Sequence, residues 1–300
     1  MSATNRLKPL LLLSILLGLI VLFLGLLLFV LPPSGEDVVS EAPPAEGTEE
    51  ATERGPGAEE ITTEERGAQE GEAEEAAPIP EERYRIYLVL DDAGHDLADL
   101  GPYLSLPVPL TFAILPDRRA SEATLRAISE AGRESILHLP MEPAGEANPG
   151  AGAIYTSQTD EEISFLLKSH LQTLPGIIGV NNHMGSLATA DPRVMGVVMS
   201  TLAEEGLFFL DSRTTPESVA RDAAGARGVP FAERSVFLDN QRSDDAVAVQ
   251  LDEAAALAEE EGYAIAIGHV TSDVVAQVVA QREEEYRRRG IAFHRLSELF

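Results

Sequence analysis

From Tyr84 onwards the chain alternates short apolar runs with helical patterns, and this alternation restricts its fold more than any other feature. Short apolar runs between helices are typical of strands buried in a parallel sheet. Seven or eight β/α units therefore predict one α/β domain over 84–300, built as a barrel or as a large doubly wound sheet. The predicted strands are 84–90, 110–116, 134–140, 177–183, 207–213, 263–269 and 291–296, with a shorter candidate at 235–239.

A long uncharged run lies near the N-terminus. Leu10–Leu31 contains 22 residues, almost all Leu, Ile, Val and Phe, which is long enough to cross a hydrocarbon core of roughly 30 Å. Arg6 and Lys8 precede the run, and positive charge is retained on the cytoplasmic side. We therefore predict a cytoplasmic N-terminus at 1–8 and a transmembrane anchor at 9–31, with the remaining chain on the extracytoplasmic, periplasmic side. A cleaved signal peptide is the alternative, although its apolar region would span about 7–15 residues.

The following segment, 32–83, is acidic and contains few large apolar residues. It carries about half of the chain's net charge of −28. Because such a segment cannot bury enough apolar surface to offset the entropy lost on ordering, we predict a disordered linker. A chain this acidic also lacks the clustered Lys and Arg that contact phosphates, so nucleic acid is not an expected partner.

Polar residues recur where the predicted strands end. The carboxyl ends of parallel strands meet at one rim of an α/β domain, where functional groups lie. The chain has no cysteine, so a metal ion at this rim must be held by His, Asp, Glu or backbone oxygen. Two imidazoles and one carboxylate suit Zn²⁺ and leave a position for water, which predicts metal-assisted hydrolysis. The strand-end residues are Asp91, Asp92, His138, Glu142, Asn181, Asn182, His183, Asp211, Arg213, Asp239 and His269.

Six segments of the chain together resemble the motifs of one family. The segments are LVLDDAG (88–94), PLTFAILP (109–116), HLPMEP (138–143), GVNNHMGS (179–186), FLDSRT (209–214) and AIGH (266–269). They are similar to the divergent polysaccharide deacetylases, distant relatives of the NodB-like carbohydrate esterases, over nearly all of 84–300. The resemblance implies a distorted (β/α) barrel of seven or eight strands that removes acetyl groups from glycans.

The resemblance also implies roles for individual residues. Asp91 is the expected catalytic base, Asp92 a metal ligand and His269 the general acid. Asp211 and Arg213 occupy the place of the motif that tunes the base.

The second motif departs from the pattern of the wider superfamily. That pattern has two His ligands, but here the second is replaced, so that His138 is followed by Glu142. His183 would restore a ligand set of Asp92, His138 and His183 for a divalent ion, expected to be Zn²⁺. Glu142 could instead substitute for one ligand, and Asn182 is a further candidate.

The leading hypothesis is a metal-dependent hydrolase that removes acetyl groups from a cell-envelope polysaccharide, with peptidoglycan as a candidate. The alternative is a non-catalytic glycan-binding or scaffold protein of the envelope that retains the barrel. A cytosolic enzyme would require that the run at 10–31 is not a membrane segment. No partner protein is predicted.

Overall fold

The structure is a computed structural model that describes residues 81–300. The predicted cytoplasmic segment at 1–8, the predicted anchor at 9–31 and most of the predicted linker lie outside the described residues. Within 81–300, none of the helices combines the length and the hydropathy that a membrane crossing requires.

The described residues alternate between strands and helices, as the sequence predicts. The strands are β1 (Tyr84–Ala93), β2 (Thr111–Ile114), β3 (Glu134–Met141), β4 (Gly179–Met184), β5 (Phe208–Asp211), β6 (Phe231–Glu233), β7 (Val236–Phe237), β8 (Tyr263–His269) and β9 (Ile291–His294). The α-helices are α1 (Gly101–Leu104), α2 (Ser121–Glu130), α3 (Asp160–Thr173), α4 (Pro192–Glu205), α5 (Ala220–Gly225), α6 (Asp244–Glu261) and α7 (Asp273–Arg288). Short 3₁₀ helices lie at Ala98–Leu100, Ala188–Ala190 and Leu296–Leu299.

The strands form one parallel sheet in the order β6-β5-β4-β3-β2-β1-β8-β7, and β9 pairs with the first residues of β1. The outer strands β6 and β7 are separated along the chain only by Arg234 and Ser235. The Arg234 N–H donates to the Asp211 carbonyl of β5 at 2.9 Å, and the Ser235 N–H donates to the Ile265 carbonyl of β8 at 2.9 Å. One stretch of chain therefore bridges both edges, and the sheet curls into the predicted barrel of eight parallel strands rather than a doubly wound sheet.

Side chains that alternate between the two faces of each strand form two apolar layers. A larger outer layer, which includes Ile86 and Leu88, packs the strands against the helices. The inner layer consists of Tyr87, Val89, Ala113, Ile136, Phe208, Leu210, Ala232, Ile265, Ile267 and Leu296. Because successive side chains of a strand point to opposite faces, the inner face continues two residues further along β1, β3 and β8. Those positions are Asp91, His138 and His269.

Local sequence signals fix the termini of the helices. Thr159 and Glu162 form a capping box at α3: the Thr159 hydroxyl accepts the Glu162 N–H at 3.2 Å, and the Glu162 carboxylate accepts the Thr159 N–H at 2.8 Å. Pro192 occupies the first position of α4, after the capping residue Asp191. Gly206 ends that helix with a φ of 70°, a conformation that favours a residue without a Cβ atom.

Several short elements differ from the sequence prediction. The sequence predicts neither β6 at Phe231–Glu233 nor α5 at Ala220–Gly225, because both are too short to show a period. The predicted strand at 235–239 is reduced to Val236–Phe237. The reason is that the chain changes its pairing partner from β5 to β8 at this point.

Gly179, at the start of β4, packs directly against an aromatic ring. A Cβ atom on Gly179 would lie 2.3 Å from a ring carbon of Phe208 on β5, and the Phe208 ring stacks on Phe300 with centroids 4.2 Å apart. We predict that Gly179→Ala lowers the free energy of unfolding by about 1–3 kcal/mol, because the ring must move out of a packed position. Urea unfolding followed by circular dichroism measures this change.

Gly101→Ala is the matched control, because a Cβ atom on Gly101 would meet no atom within 4 Å. Its unfolding midpoint should equal or exceed that of the wild type. Adding Phe208→Leu to Gly179→Ala should recover part of the lost stability. Equal midpoints for Gly179→Ala and Gly101→Ala would contradict this account of the packing.

Candidate metal centre

Three side chains from three strands meet at the carboxyl end of the barrel. Asp92 lies near the end of β1, His138 in β3 and His183 in β4; these residues are called the ligand trio. Asp92 Oδ1 is 3.0 Å from His183 Nδ1 and 3.3 Å from His138 Nε2, and the two nitrogens are 3.1 Å apart. Ligand atoms about 2.0–2.1 Å from a tetrahedrally coordinated ion are roughly 3.3 Å apart. The three atoms therefore have the spacing of metal ligands.

The backbone at Asp92 is unusual for a strand residue. Its φ of 64° lies in the left-handed region, which is unfavourable for a residue with a Cβ atom. The register between β1 and β2 also shifts between Leu90 and Ala93. Such a bulge changes the direction of a side chain, and here it allows the consecutive residues Asp91 and Asp92 to line the same cavity. Left-handed residues other than glycine concentrate at functional sites, in agreement with a ligand role.

The chemistry of the ligand trio fits a divalent cation. Asp92 Oδ1 is buried and has no hydrogen-bond partner among the described residues. Asn181 Nδ2 donates to Asp91 Oδ1 at 2.8 Å, so Asn181 Oδ1 accepts the Nδ1–H of His138, also at 2.8 Å. With its proton on Nδ1, His138 presents the Nε2 lone pair to Asp92 and His183. Two imidazoles and one carboxylate form a ligand set typical of Zn²⁺ with one open position.

The pKa values of Asp91 and Asp92 are shifted in opposite directions, upward for Asp91 and downward for Asp92. Burial raises the pKa of Asp91, and His138 and Asn181 offset only part of this effect. Burial also opposes ionisation of Asp92, but interactions with His138 and His183 outweigh it and hold the pKa of Asp92 well below its usual range. Asp92 is therefore ionised at neutral pH, as a metal ligand must be. The greater proton affinity of Asp91 suits a general base.

His269 faces the ligand trio from the end of β8. Its Nδ1 is 3.0 Å from Asp239 Oδ1, and its backbone N–H donates to the second Asp239 oxygen at 3.2 Å. Burial lowers the pKa of His269, but the hydrogen bond and charge of Asp239 outweigh that effect, so the net shift is upward. His269 Nε2 lies 3.8 Å from Asp92 Oδ2. Asp239, a strand-end residue to which the sequence assigned no role, thus orients the His269 imidazole.

Asp211 and Arg213 lie near the site but form no hydrogen bond with Asp91 among the described residues. The Asp211 carboxylate accepts the backbone N–H of Arg213 at 2.7 Å and the hydroxyl of Ser218 at 2.6 Å. The Arg213 side chain is 49% exposed and forms an ion pair at 3.0 Å with a glutamate of β6. Both residues therefore stabilise the loop after β5. The side chain that donates a hydrogen bond to Asp91 is instead that of Asn181.

Glu142 and Asn182 are engaged away from the ligand trio. Glu142 Oε2 accepts the N–H and the hydroxyl of Thr156 at 2.7 and 2.6 Å, which fixes the loop after β3. Asn182 Nδ2 donates to a backbone carbonyl of β4 at 2.7 Å, and its Oδ1 accepts the Ser212 N–H at 2.9 Å. The structure therefore places neither side chain among the candidate ligand atoms, and the third candidate ligand, His183, comes from β4.

The site opens into a cavity of about 460 Å³. Among the lining residues that the sequence analysis did not single out are Arg234 and Phe237. Arg234 lies between β6 and β7, and its guanidinium carbon is 5.1 Å from the centroid of the Phe237 ring. The apolar run at 235–239 indicates a strand that ends at this rim. The sequence does not indicate that Arg234, which precedes this run, also lines the cavity; this is seen only in the structure.

Comparisons with known proteins extend over most of the barrel. Residues 88–300 match the family model for divergent polysaccharide deacetylases. The chain is 33% identical over 196 residues to an uncharacterized protein of Haemophilus influenzae, and this match covers 65% of this chain and 70% of the relative. It is 32% identical over 198 residues to the uncharacterized protein YibQ of Escherichia coli K12, with 65% of this chain and 62% of that protein covered.

A solved structure shows the same fold. The crystal structure of the uncharacterized protein ATU2773 from Agrobacterium tumefaciens C58 aligns with a TM-score of 0.68 at 22% identity, and it covers 73% of this chain and 90% of that chain. An identity this low supports the fold alone. The family model, in contrast, includes every residue of the ligand trio together with Asp91 and His269. On this match, the chain belongs to the divergent polysaccharide deacetylase family.

Proposed function

We propose that this chain is a metal-dependent hydrolase that removes acetyl groups from a cell-envelope polysaccharide. The observation that carries the proposal is the convergence of the ligand trio, the buried carboxylate of Asp91 and the imidazole of His269 on one cavity. Family membership supports a polysaccharide as the substrate class. Zn²⁺ is the proposed ion, because two imidazoles and one carboxylate are its typical ligands at a catalytic site.

The proposed reaction is hydrolysis of an acetyl group by water. When bound, a divalent ion would polarise a carbonyl oxygen and make a coordinated water more acidic. Asp91, oriented by Asn181, accepts a proton from the water that attacks the acetyl carbonyl carbon. His269, oriented by Asp239, donates a proton from Nε2 to the leaving nitrogen or oxygen of the sugar. The bond between the acetyl carbon and that atom breaks, and the products are acetate and a free amine or hydroxyl.

We also propose that the barrel works outside the cytoplasm on a membrane tether. The 22 uncharged residues of Leu10–Leu31 and the basic residues before them support an anchor at 9–31. The acidic segment 32–83 would serve as a flexible spacer with a root-mean-square reach of roughly 40 Å. Peptidoglycan is the candidate substrate, because a spacer of this length would hold the barrel close to the cell wall.

A non-catalytic glycan-binding or scaffold protein is the alternative function. Such a protein would need neither a buried carboxylate beside the ligand trio nor an imidazole oriented by a second carboxylate. Both groups are present here, as Asp91 and as His269 paired with Asp239. Their presence favours catalysis.

Removal of one ligand should abolish metal binding. The full chain, purified in detergent with Zn²⁺ supplied, should hold about one equivalent of the ion, because the ligand trio forms a single site. His183→Ala should lower the content to background, since two ligands do not retain the ion through dialysis. Inductively coupled plasma mass spectrometry measures the content.

Two control variants accompany this measurement. His95 is exposed and lies outside the ligand trio, so His95→Ala should keep the ion. Glu142→Gln should keep it as well, because the Glu142 carboxylate is bound to Thr156. Loss of metal in Glu142→Gln but not in His183→Ala would assign the third ligand to Glu142 and contradict the proposed site.

Removal of the proposed base should stop catalysis without releasing the ion. Asp91→Asn should slow acetate release from acetylated peptidoglycan by about 10²–10⁴-fold, the usual contribution of a general base. The metal content should stay at the wild-type value, because Asp91 is not in the ligand trio. An enzymatic acetate assay and a metal analysis on the same sample measure both quantities.

Asp96→Asn is the matched control, since Asp96 is exposed in the loop after β1. Its acetate release should equal that of the wild type. Undiminished release by Asp91→Asn would remove the role given to Asp91. A wild-type chain that holds the ion and binds glycan, but releases no acetate, would favour the non-catalytic alternative.

A further inference from the structure

Arg234 places an oriented cation in the wall of the proposed active-site cavity. Its Nε donates to the Ser212 carbonyl at 2.8 Å, and its Nη2 donates to the Arg213 carbonyl at 3.1 Å. A guanidinium group has five N–H donors in a rigid plane, so these two hydrogen bonds leave donors for a ligand. The position of the group is set by backbone atoms and does not depend on another charged side chain.

No carboxylate forms an ion pair with Arg234 among the described residues. Arg213 and Arg221, its neighbours on this side of the barrel, both pair with Glu233. Burial lowers the pKa of Arg234, repulsion from Arg213 lowers it further, and the attraction of Asp91 and Asp211 offsets only part of these effects. Burying a cation in part without an ion-pair partner costs free energy. An anionic group on a ligand would reduce this cost.

Arg234 is also connected to the proposed base. Ser212, whose carbonyl accepts the Arg234 Nε–H, has its hydroxyl 3.2 Å from Asn181 Nδ2. The same amide nitrogen donates to Asp91 Oδ1 at 2.8 Å. Two side chains therefore fix the guanidinium relative to the carboxylate that would receive the proton.

On its other side, Arg234 is connected to the proposed acid through one aromatic ring. The guanidinium carbon of Arg234 lies 5.1 Å from the centroid of the Phe237 ring. That ring and the His269 imidazole are nearly perpendicular, with centroids 5.2 Å apart and planes at 86°. These short distances place the cation and His269 on adjoining parts of the cavity wall.

We propose that Arg234 binds a carboxylate of the substrate, so that the preferred glycan carries a carboxylic acid on the acetylated sugar or on the adjacent one. This inference rests on the proposed function and specifies its substrate class. A planar guanidinium matches the two oxygens of a carboxylate with parallel N–H donors. The apolar face of Phe237 keeps the guanidinium in place and limits its access to water, which strengthens such a pair.

The test compares two N-acetylated glycans that differ in this carboxylate. One is a chitin oligosaccharide, which is neutral, and the other is a glycan strand in which alternate sugars carry a lactyl carboxylate. For the full wild-type chain, kcat/KM for acetate release should favour the carboxylated glycan by about 10- to 100-fold, the value of a charge-assisted hydrogen bond. Arg234→Gln should reduce this ratio to near unity, chiefly through KM, and Arg234→Lys should give an intermediate ratio.

Arg221→Gln is the matched control, because Arg221 pairs with Glu233 and does not line the cavity. It should keep the wild-type ratio. A wild type that does not distinguish the two glycans, or an Arg234→Gln variant with an unchanged ratio, would overturn the inference.

A binding measurement separates this inference from the proposed function. Isothermal titration of the two glycans into the full-length Asp91→Asn chain reports affinity without turnover. The carboxylated glycan should bind about 10- to 100-fold more tightly, and Arg234→Gln in the same background should remove the difference. If the wild type releases no acetate from either glycan, the proposed function fails. In that case the same affinity ratio still decides the role of Arg234, and equal affinities overturn it.

Discussion

The pairing of β1 with its neighbours determines where the reacting groups lie. This strand pairs with β8 along Arg85–Asp91, with β9 at its start and with β2 at its end. In that register Asp91 lies opposite His269, and on the neighbouring strands β3 and β4 His138 lies opposite Asn181. The proposed base and acid are therefore backbone neighbours, as are the proposed metal ligand His138 and the amide that orients it. The geometry of the site is thus a property of the sheet register and not of flexible loops.

One amide side chain connects the two parts of the site. Asn181 accepts from His138 Nδ1 through its oxygen and donates to Asp91 Oδ1 through its nitrogen, both at 2.8 Å. An amide cannot exchange these two roles, so its orientation determines both the tautomer of a ligand and the oxygen of the base that stays free. The residue has no charge and would not attract notice as a catalytic group. Its contacts nevertheless join the candidate metal centre to the proposed base.

The parts of the site that the sequence predicted are those fixed by strand periodicity. Asp92, His138 and His183 converge because each lies at the carboxyl end of a strand, and a parallel sheet brings those ends to one rim. The contacts of Glu142 and Asp211 could not be foreseen, since each depends on the path of the loop that follows its strand. The Thr156 hydroxyl donates a hydrogen bond to Glu142, and the Ser218 hydroxyl donates one to Asp211. Fold class and the clustering of polar residues at one rim were therefore accessible from periodicity. The candidate ligand set came from the family resemblance, and the contacts of the loop carboxylates depend on the folded chain.

The segment that bridges β5 and β8 affects more than the closure of the barrel. The strands that end the sheet order, β6 and β7, have three and two residues, whereas the central strand β1 has ten. An exposed strand edge offers unpaired N–H and C=O groups to a strand of another molecule, and this is a common route to aggregation and domain swapping. Edges this short present too few such groups to template intermolecular pairing. The change of partner at Arg234–Ser235 thus protects the folded domain against edge-to-edge self-association.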